Sequence, residues 1–101
     1  MKKIMLCCAA GMSTSMLMRK MRVEAKKRGI EVNIQAYGAT QFDEKVAEYQ
    51  VVLLGPQIKY MHSELQERAA PLNIRVEPID MMDYGMQRGD KVLDFALSLI
   101  K

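Results

Sequence analysis

The sequence predicts an α/β protein, a three-layer sandwich in which a four-stranded parallel sheet carries helices on both faces. Two observations favour this fold. Short apolar runs alternate with segments of helical periodicity in the order βαβαβαβα, and this alternation is typical of parallel sheets with right-handed crossovers. Half of the 101 residues are hydrophobic, so the chain can bury a core as a single domain spanning residues 1–101.

The first strand and first helix have clear signals. Residues 3–7 are an apolar run that ends at a segment rich in Gly, Ser and Thr, which is typical of a buried strand. Residues 13–28 then predict a helix, with Ser13 or Thr14 as its N-cap and Gly29 as its C-terminal stop. The apolar side chains of one helix face are Leu17, Met18, Met21 and Ala25.

The middle of the chain predicts a second strand, a short helix and a third strand. Residues 31–36 alternate polar and apolar side chains, as a strand does. Residues 38–40 form a turn and residues 42–49 a short helix. Residues 51–54 are β-branched or leucine and are followed by Gly-Pro, which ends a strand.

The last third of the chain completes the alternation. Apolar side chains at helical spacing predict a third helix, which ends before Pro71. They are Ile58, Met61 and Leu65. Residues 74–79 predict the fourth strand and residues 91–100 the final helix. Its inward-facing side chains are Leu93, Ala96, Leu97 and Ile100.

In parallel sheets of this kind, ligands bind at the carboxyl ends of the strands near a topological switch point. The rule selects residues 7–14, 55–60 and 79–85, which follow three of the predicted strands. The first of these loops overlaps the segment that carries the chemistry, residues 8–15, which starts with Cys8 and contains Gly11 and three hydroxyl side chains.

A loop between a strand and a helix N-terminus directs backbone N–H groups at an anion, and Gly11 lets the backbone approach closely. The same partial positive charge favours the thiolate of Cys8, which is the nucleophilic form. We therefore expect Cys8 to be the catalytic residue of a phosphoryl-transfer site. The expected phosphate-binding residues are Ala9, Ala10, Gly11, Met12, Ser13, Thr14 and Ser15.

The loop resembles the Cys-x5-Arg-Ser/Thr loop of low-molecular-weight tyrosine phosphatases, a P-loop after the first strand. Cys8 and Ser15 match, but Thr14 stands where the phosphatases have arginine. Without that bidentate clamp hydrolysis should be poor. A phosphocysteine could then survive long enough to be passed on, so we expect a carrier rather than a hydrolase. The loop also lacks the Lys of a Walker nucleotide loop.

The segments 8–15, 52–58 and 60–61, with Ile79-Asp80 and Tyr84-Gly85, resemble the enzyme IIB component of the lactose/cellobiose (N,N'-diacetylchitobiose) family of the PEP-dependent sugar phosphotransferase system. The resemblance covers nearly the whole chain and implies a strand order of 2134. It implies that Cys8 accepts a phosphoryl group from the phosphohistidine of a IIA protein. Cys8 would then phosphorylate a β-linked disaccharide bound by the membrane IIC protein.

Two other functions remain open. One is a low-molecular-weight phosphatase-like hydrolase, and the other is a non-catalytic regulator that binds an anion in the loop. The hydrolase predicts turnover of an aryl phosphate. Serine in place of Cys8 separates the regulator from the carrier, because a regulator should tolerate that change.

Several further residues have a structural and a functional interpretation. Gln57 and Tyr60 could contact the phosphate or a partner. We expect Asp80 and Asp83 to serve in capping or turns, and the single histidine, His62, to face solvent. Cys7 matches an apolar position of the first strand and should be core.

The ten methionines are mostly core filler, but some flank the expected site. Met is deformable and suits surfaces that fit more than one partner. We therefore expect Met12 and its neighbours to form an apolar docking patch around Cys8. The neighbours are Met16, Met81, Met82 and Met86.

The composition also argues against several classes of protein. No apolar run is long enough to span a bilayer, and the apolar part of the N-terminus is too short for a signal peptide. We expect a cytoplasmic protein that associates peripherally with the membrane through IIC. No cofactor, metal or nucleic-acid partner is expected.

Overall fold

The computed structural model describes residues 1–9 and 14–100. Its strands are β1 Lys2–Cys8, β2 Val32–Gly38, β3 Val51–Leu54 and β4 Arg75–Pro78. Its α-helices are α1 Ser15–Lys27, α2 Phe42–Lys45, α3 His62–Ala69, α4 Met81–Gly85 and α5 Gly89–Leu99. Short 3-10 segments cover Ala39–Gln41, Val46–Glu48, Pro56–Met61 and Ala70–Leu72.

The strands form one parallel sheet in the order β2-β1-β3-β4, so the expected order 2134 is confirmed. β1 is central and pairs along its whole length with β2, from Lys2 opposite Val32 to Cys8 opposite Gly38. On its other side it pairs with all of β3. From β1 the chain first adds β2 on one side and then crosses over to add β3 and β4 on the other side. The carboxyl end of β1 is therefore the switch point of the sheet.

Alternate residues of β1 enter two separate cores. Ile4 and Leu6 pack with α1 and α5 on one face, and Met5 and Cys7 pack with α2 and α3 on the other. This division follows from the two-residue period of a strand. It explains why the central strands have no polar face and appear in the sequence as uninterrupted apolar runs.

Helix α1 ends as the sequence predicts. Gly29 has a φ of +69°, a left-handed conformation that a residue with a Cβ adopts only under strain. The N–H of Gly29 donates to the carbonyl of Lys26 at 3.1 Å, and that of Ile30 to the carbonyl of Ala25 at 2.9 Å. This pair of bonds satisfies the last carbonyls of the helix.

Side chains cover the outer edges of the sheet. At β4, Gln66 accepts from the N–H of Val76 at 2.8 Å and donates to the carbonyl of Ile74 at 3.0 Å. At β2, the guanidinium of Arg22 donates twice to the carbonyl of Ile34. Both arrangements occupy backbone groups that would otherwise offer a template for pairing with another chain.

The structure adds two details to the predicted elements. The helix expected over residues 42–49 is divided into α2 and the 3-10 segment that follows it. Helix α4 was not predicted at all. It has five residues, and its apolar side chains Met81 and Met82 are exposed, so no helical periodicity marks it in the sequence.

Candidate functional site

Cys8 is the last residue of β1 rather than the first residue of the following loop, which corrects its predicted place. The pairing of β1 with β2 extends to Cys8 opposite Gly38 and so holds this residue in the strand. Its exposed fraction is 0%. The sulfur therefore sits at the carboxyl edge of the sheet, on the strand that marks the switch point.

Thr14 is the clearest polar neighbour of Cys8. Its hydroxyl Oγ1 donates to Sγ of Cys8 at 3.6 Å, and its exposed fraction is 0%. Thr14 directly precedes α1, yet among the described residues its side chain makes no capping bond to that helix. Its hydroxyl is instead directed at sulfur, where a donor stabilises negative charge.

Gly55, at the end of β3, lies against both residues. A Cβ built on Gly55 would be 3.4 Å from Cβ of Cys8 and 3.5 Å from Cγ2 of Thr14. The N–H of Gly55 donates to the carbonyl of Cys7 at 2.8 Å. The loops after β1 and β3 therefore meet, as the sheet-end rule predicts.

The loop after β4 joins this cluster through a side-chain bond. Nε2 of Gln57 donates to the hydroxyl of Tyr84, in α4, at 3.2 Å. Gln57 is exposed and Tyr84 is half-buried against the core. Tyr60 is 83% exposed. Of the two residues expected to touch the phosphate or a partner, Gln57 is the one with a described bond to this cluster.

The other loop residues are only partly within the structure. Ala9 is exposed and Ser15 is half-buried in the first turn of α1. Ala10, Gly11, Met12 and Ser13 lie outside the described residues. Their expected roles in the phosphate cradle, and that of Met12 in docking, therefore remain predictions.

Asp80 and Asp83 have the structural roles expected for them. Asp80 is the N-cap of α4, and its carboxylate accepts from the N–H of Asp83 at 3.1 Å. The carboxylate of Asp83 lies 3.3 Å from the guanidinium of Arg88. Both carboxylates are thus engaged in holding α4 and the turn after it.

His62 lies at the outer edge of the sheet, away from the predicted solvent-facing position. Its Nε2 is 2.6 Å from the carbonyl oxygen of Val76 and 3.5 Å from a carboxylate oxygen of Glu77, both in β4. The ring is only half-buried, but its contacts are those of an edge-covering residue, like Gln66. This gives the histidine a structural role.

Cys7 is buried in the opposite core from α1, as expected for an apolar position. Neither Cys7 nor Cys8 forms a disulfide within the described chain. Burial raises the pKa of the Cys7 thiol to about 11, and the nearby Cys8 adds to this effect. Cys7 therefore stays protonated, and not nucleophilic, at neutral pH.

This shift has a measurable consequence: the free energy of unfolding should fall as the pH rises from 9.0 to about 11. In this window the unfolded thiol loses its proton while the folded one retains it. The folded state then binds more protons, and stability falls by up to ~1.4 kcal/mol per pH unit. Urea denaturation below and within the window measures the slope.

The control is Cys7→Ala, which should give a shallower slope over the same window. Burial and the bond to Tyr37 also raise the pKa of Tyr49, but both proteins share that contribution. Equal slopes in the two proteins would contradict the assignment to Cys7.

Among the described residues, four exposed methionines lie in or directly after the helices that follow β1 and β4, and we call them the methionine surface. They are Met16 at 56%, Met81 at 72%, Met82 at 63% and Met86 at 59% exposed. Met16 is in the first turn of α1, and the other three are in or directly after α4. Their use as a docking patch stays a prediction.

The family is decided by the sequence as a whole. Residues 3–95 match the family model described as the lactose/cellobiose-specific IIB subunit of the PTS system. The chain belongs to this family. It is therefore a IIB component of a sugar phosphotransferase system and a phosphotransferase.

Curated relatives agree over almost the full length of this IIB chain. It is 48% identical to the oligo-beta-mannoside-specific EIIB component of Bacillus subtilis, covering 99% of this chain and 97% of the relative. It is 41% identical to the galactose-specific EIIB component of Lactococcus lactis subsp. cremoris, covering 98% and 96%. The cellobiose-specific EIIB component of Lactococcus lactis subsp. lactis matches at the same identity and coverage.

Solved structures share the fold. The cellobiose-specific IIB component of Borrelia burgdorferi aligns with a TM-score of 0.82 at 39% identity, covering 98% of this chain and 91% of that one. The lactose-specific IIB domain of Streptococcus pneumoniae aligns with a TM-score of 0.90 at 20% identity, covering 99% and 98%. The second likeness shows the fold alone.

The sequence does not predict the part of the site that α4 contributes. The bond of Tyr84 to Gln57 has no local sequence signal, although the Asp80-x-x-Asp83 pattern before Tyr84 is typical of a helix start and indicates α4. The switch-point rule predicts that Gly55 lies beside Cys8, but nothing in the sequence indicates that the two approach as closely as they do.

Proposed function

We propose that this IIB protein carries a phosphoryl group on Cys8. The group arrives from the phosphohistidine of a IIA protein and leaves to a β-linked disaccharide of the cellobiose, lactose or chitobiose class, bound by the membrane IIC protein. The observation that supports this best is the bond from the buried Thr14 hydroxyl to the Cys8 sulfur. A hydroxyl donor directed at the sulfur supports a role for this sulfur in which it carries negative charge.

The relay divides one difficult transfer into two steps. In the first, a sulfur electron pair forms the S–P bond as the N–P bond of the donor breaks, and the histidine nitrogen keeps the bonding pair. In the second, a sugar hydroxyl oxygen attacks phosphorus, the S–P bond breaks, and the thiolate is restored. The hydroxyl proton leaves to a base outside this chain.

The loop from Ala9 to Ser15 would hold the phosphoryl oxygens by its backbone N–H groups and hydroxyls, as a helix N-terminus does elsewhere. The described part refines one role. Because the Thr14 hydroxyl already faces sulfur, we assign it to the thiolate first. Arginine at this position would clamp the transferring group and favour its hydrolysis.

Partner docking would use the methionine surface together with Met12 and the exposed Tyr60. Among residues 1–9 and 14–100 no helix is long and apolar enough to cross a bilayer. We propose a cytoplasmic location in which the membrane is reached through IIC.

A hydrolysis assay separates the carrier from a phosphatase. We expect negligible turnover of p-nitrophenyl phosphate, because the arginine clamp is missing. We also expect a phosphocysteine that outlives the transfer reaction by far when no acceptor is present. Steady release of p-nitrophenol through Cys8 would favour the phosphatase-like alternative instead.

A further inference from the structure

The carboxamide of Gln57 lies next to Cys8. Its Oε1 is 2.6 Å from the point where a Cβ on Gly55 would be, and Cβ of Cys8 is 3.4 Å from the same point. The carboxamide oxygen and the Cys8 side chain are therefore within about 6 Å of each other. Gly55 has no side chain, and the carboxamide occupies part of the space that this leaves.

The other end of the carboxamide is held by α4. Nε2 of Gln57 donates to the hydroxyl of Tyr84 at 3.2 Å, and α4 is itself capped by Asp80. An exposed glutamine gains considerable rotamer entropy by moving freely in water. A hydrogen bond that holds its amide within about 6 Å of the Cys8 side chain therefore indicates a role for that amide.

From this geometry we infer that Gln57 contacts the phosphoryl group on Cys8 and that Tyr84 is the positioning residue for Gln57. The inference rests on the proposed carrier function and names a further residue of that site. Gln57 supplies a neutral N–H donor on the side of the site that faces β3. Thr14 and the helix N-terminus lie on the side of α1.

The Gln57–Tyr84 pair remains bonded in two orientations. With an uncharged thiol, Oε1 lies beside Gly55 and Nε2 donates to Tyr84. With a phosphoryl group on sulfur, rotation of the carboxamide by half a turn directs Nε2 at a phosphoryl oxygen. Oε1 then accepts the hydroxyl proton of Tyr84, since a phenol both donates and accepts.

A neutral donor suits a carrier better than a cation does. Hydrogen bonds to a charged acceptor are stronger than neutral ones, so the amide N–H favours the phosphorylated form. It lacks the full charge of a guanidinium, however, and the phosphoryl group can still leave to the next acceptor.

The test measures the equilibrium of phosphoryl exchange between IIA and this protein. An equilibrium constant depends on the stability of the phosphorylated and unphosphorylated forms, and partner docking changes only the rates. Gln57→Glu keeps the shape, removes the N–H donor and adds a charge of the wrong sign. We expect the equilibrium constant for formation of phospho-Cys8 to fall about tenfold or more. Tyr84→Phe should give a smaller loss, roughly two- to fivefold.

Gln50→Glu is the matched control for charge. Gln50 precedes β3 at the opposite end of the sheet, and its Oε1 accepts from the N–H of Lys3 at 2.8 Å, which a carboxylate also does. This variant should keep the wild-type constant. A spectroscopic test runs in parallel: the side-chain amide resonances of Gln57 should shift on phosphorylation, while those of Gln66 at the β4 edge should not.

The two proposals fail in different ways. If wild-type protein takes no phosphoryl group on Cys8, the carrier function is wrong and this inference falls with it. If wild-type Cys8 is phosphorylated and Gln57→Glu reaches the same equilibrium, or the Gln57 amide does not shift, only the role of Gln57 is wrong.

Discussion

Replacement of Cys8 with serine should abolish phosphorylation of this protein by its IIA donor and leave the fold intact. The serine hydroxyl is smaller than the thiol and fits the same buried place at the end of β1. It does not ionise near neutral pH, so the nucleophile is lost. We expect the transfer rate to fall on the order of 1,000-fold or more, measured by transfer of labelled phosphate from IIA.

Cys7→Ala is the matched control for Cys8→Ser, because it removes the neighbouring thiol from the opposite face of the same strand. This variant should still be phosphorylated at the wild-type level once folded, although loss of a buried side chain lowers its stability. Continued labelling of Cys8→Ser would contradict Cys8 as the acceptor of the phosphoryl group.

The largest effect on stability should come from Gly89→Ala at the start of α5. A Cβ on Gly89 would lie 2.8 Å from the backbone carbon of Lys20, and 2.9 Å from Cβ of Lys20 and N of Met21. Two of these atoms are α1 backbone, which cannot rotate away. The helices must separate, and we expect a loss of about 1–3 kcal/mol and a fall in Tm of roughly 10 °C.

Gly85→Ala controls for the intrinsic effect of replacing a helical glycine. Gly85 ends α4, and a Cβ there would meet nothing within 4 Å. Thermal unfolding of this variant, followed by circular dichroism, should match the wild type or rise slightly. A Gly89→Ala protein as stable as Gly85→Ala would contradict the close contact of α1 and α5.

The strands could be predicted from the sequence because the sheet is buried on both faces. Val51–Leu54 is apolar at every position and lies in the structure at the predicted bounds. The helix C-terminus at Gly29 was also predictable, since its left-handed backbone has a strong residue preference. Local chemistry is sufficient to identify such elements.

Tertiary contacts determine the rest of the site. Cys8 belongs to β1 because β2 extends far enough to pair with it, and a strand's end is set by its neighbours. The bond from Gln57 to Tyr84 joins residues 27 positions apart, across a helix and a strand. From its position along α3 alone, His62 is predicted to face solvent. Its contact with Val76 of β4 exists only in the folded sheet and cannot be inferred from local sequence.

The central claim is tested most directly by locating the phosphoryl group. The protein is incubated with phosphorylated IIA, digested under conditions that preserve phosphocysteine, and sequenced by mass spectrometry. We expect the added mass on Cys8 and its loss when an acceptor sugar and IIC are supplied. A phosphoryl group on His62, or none on Cys8, would contradict the carrier function.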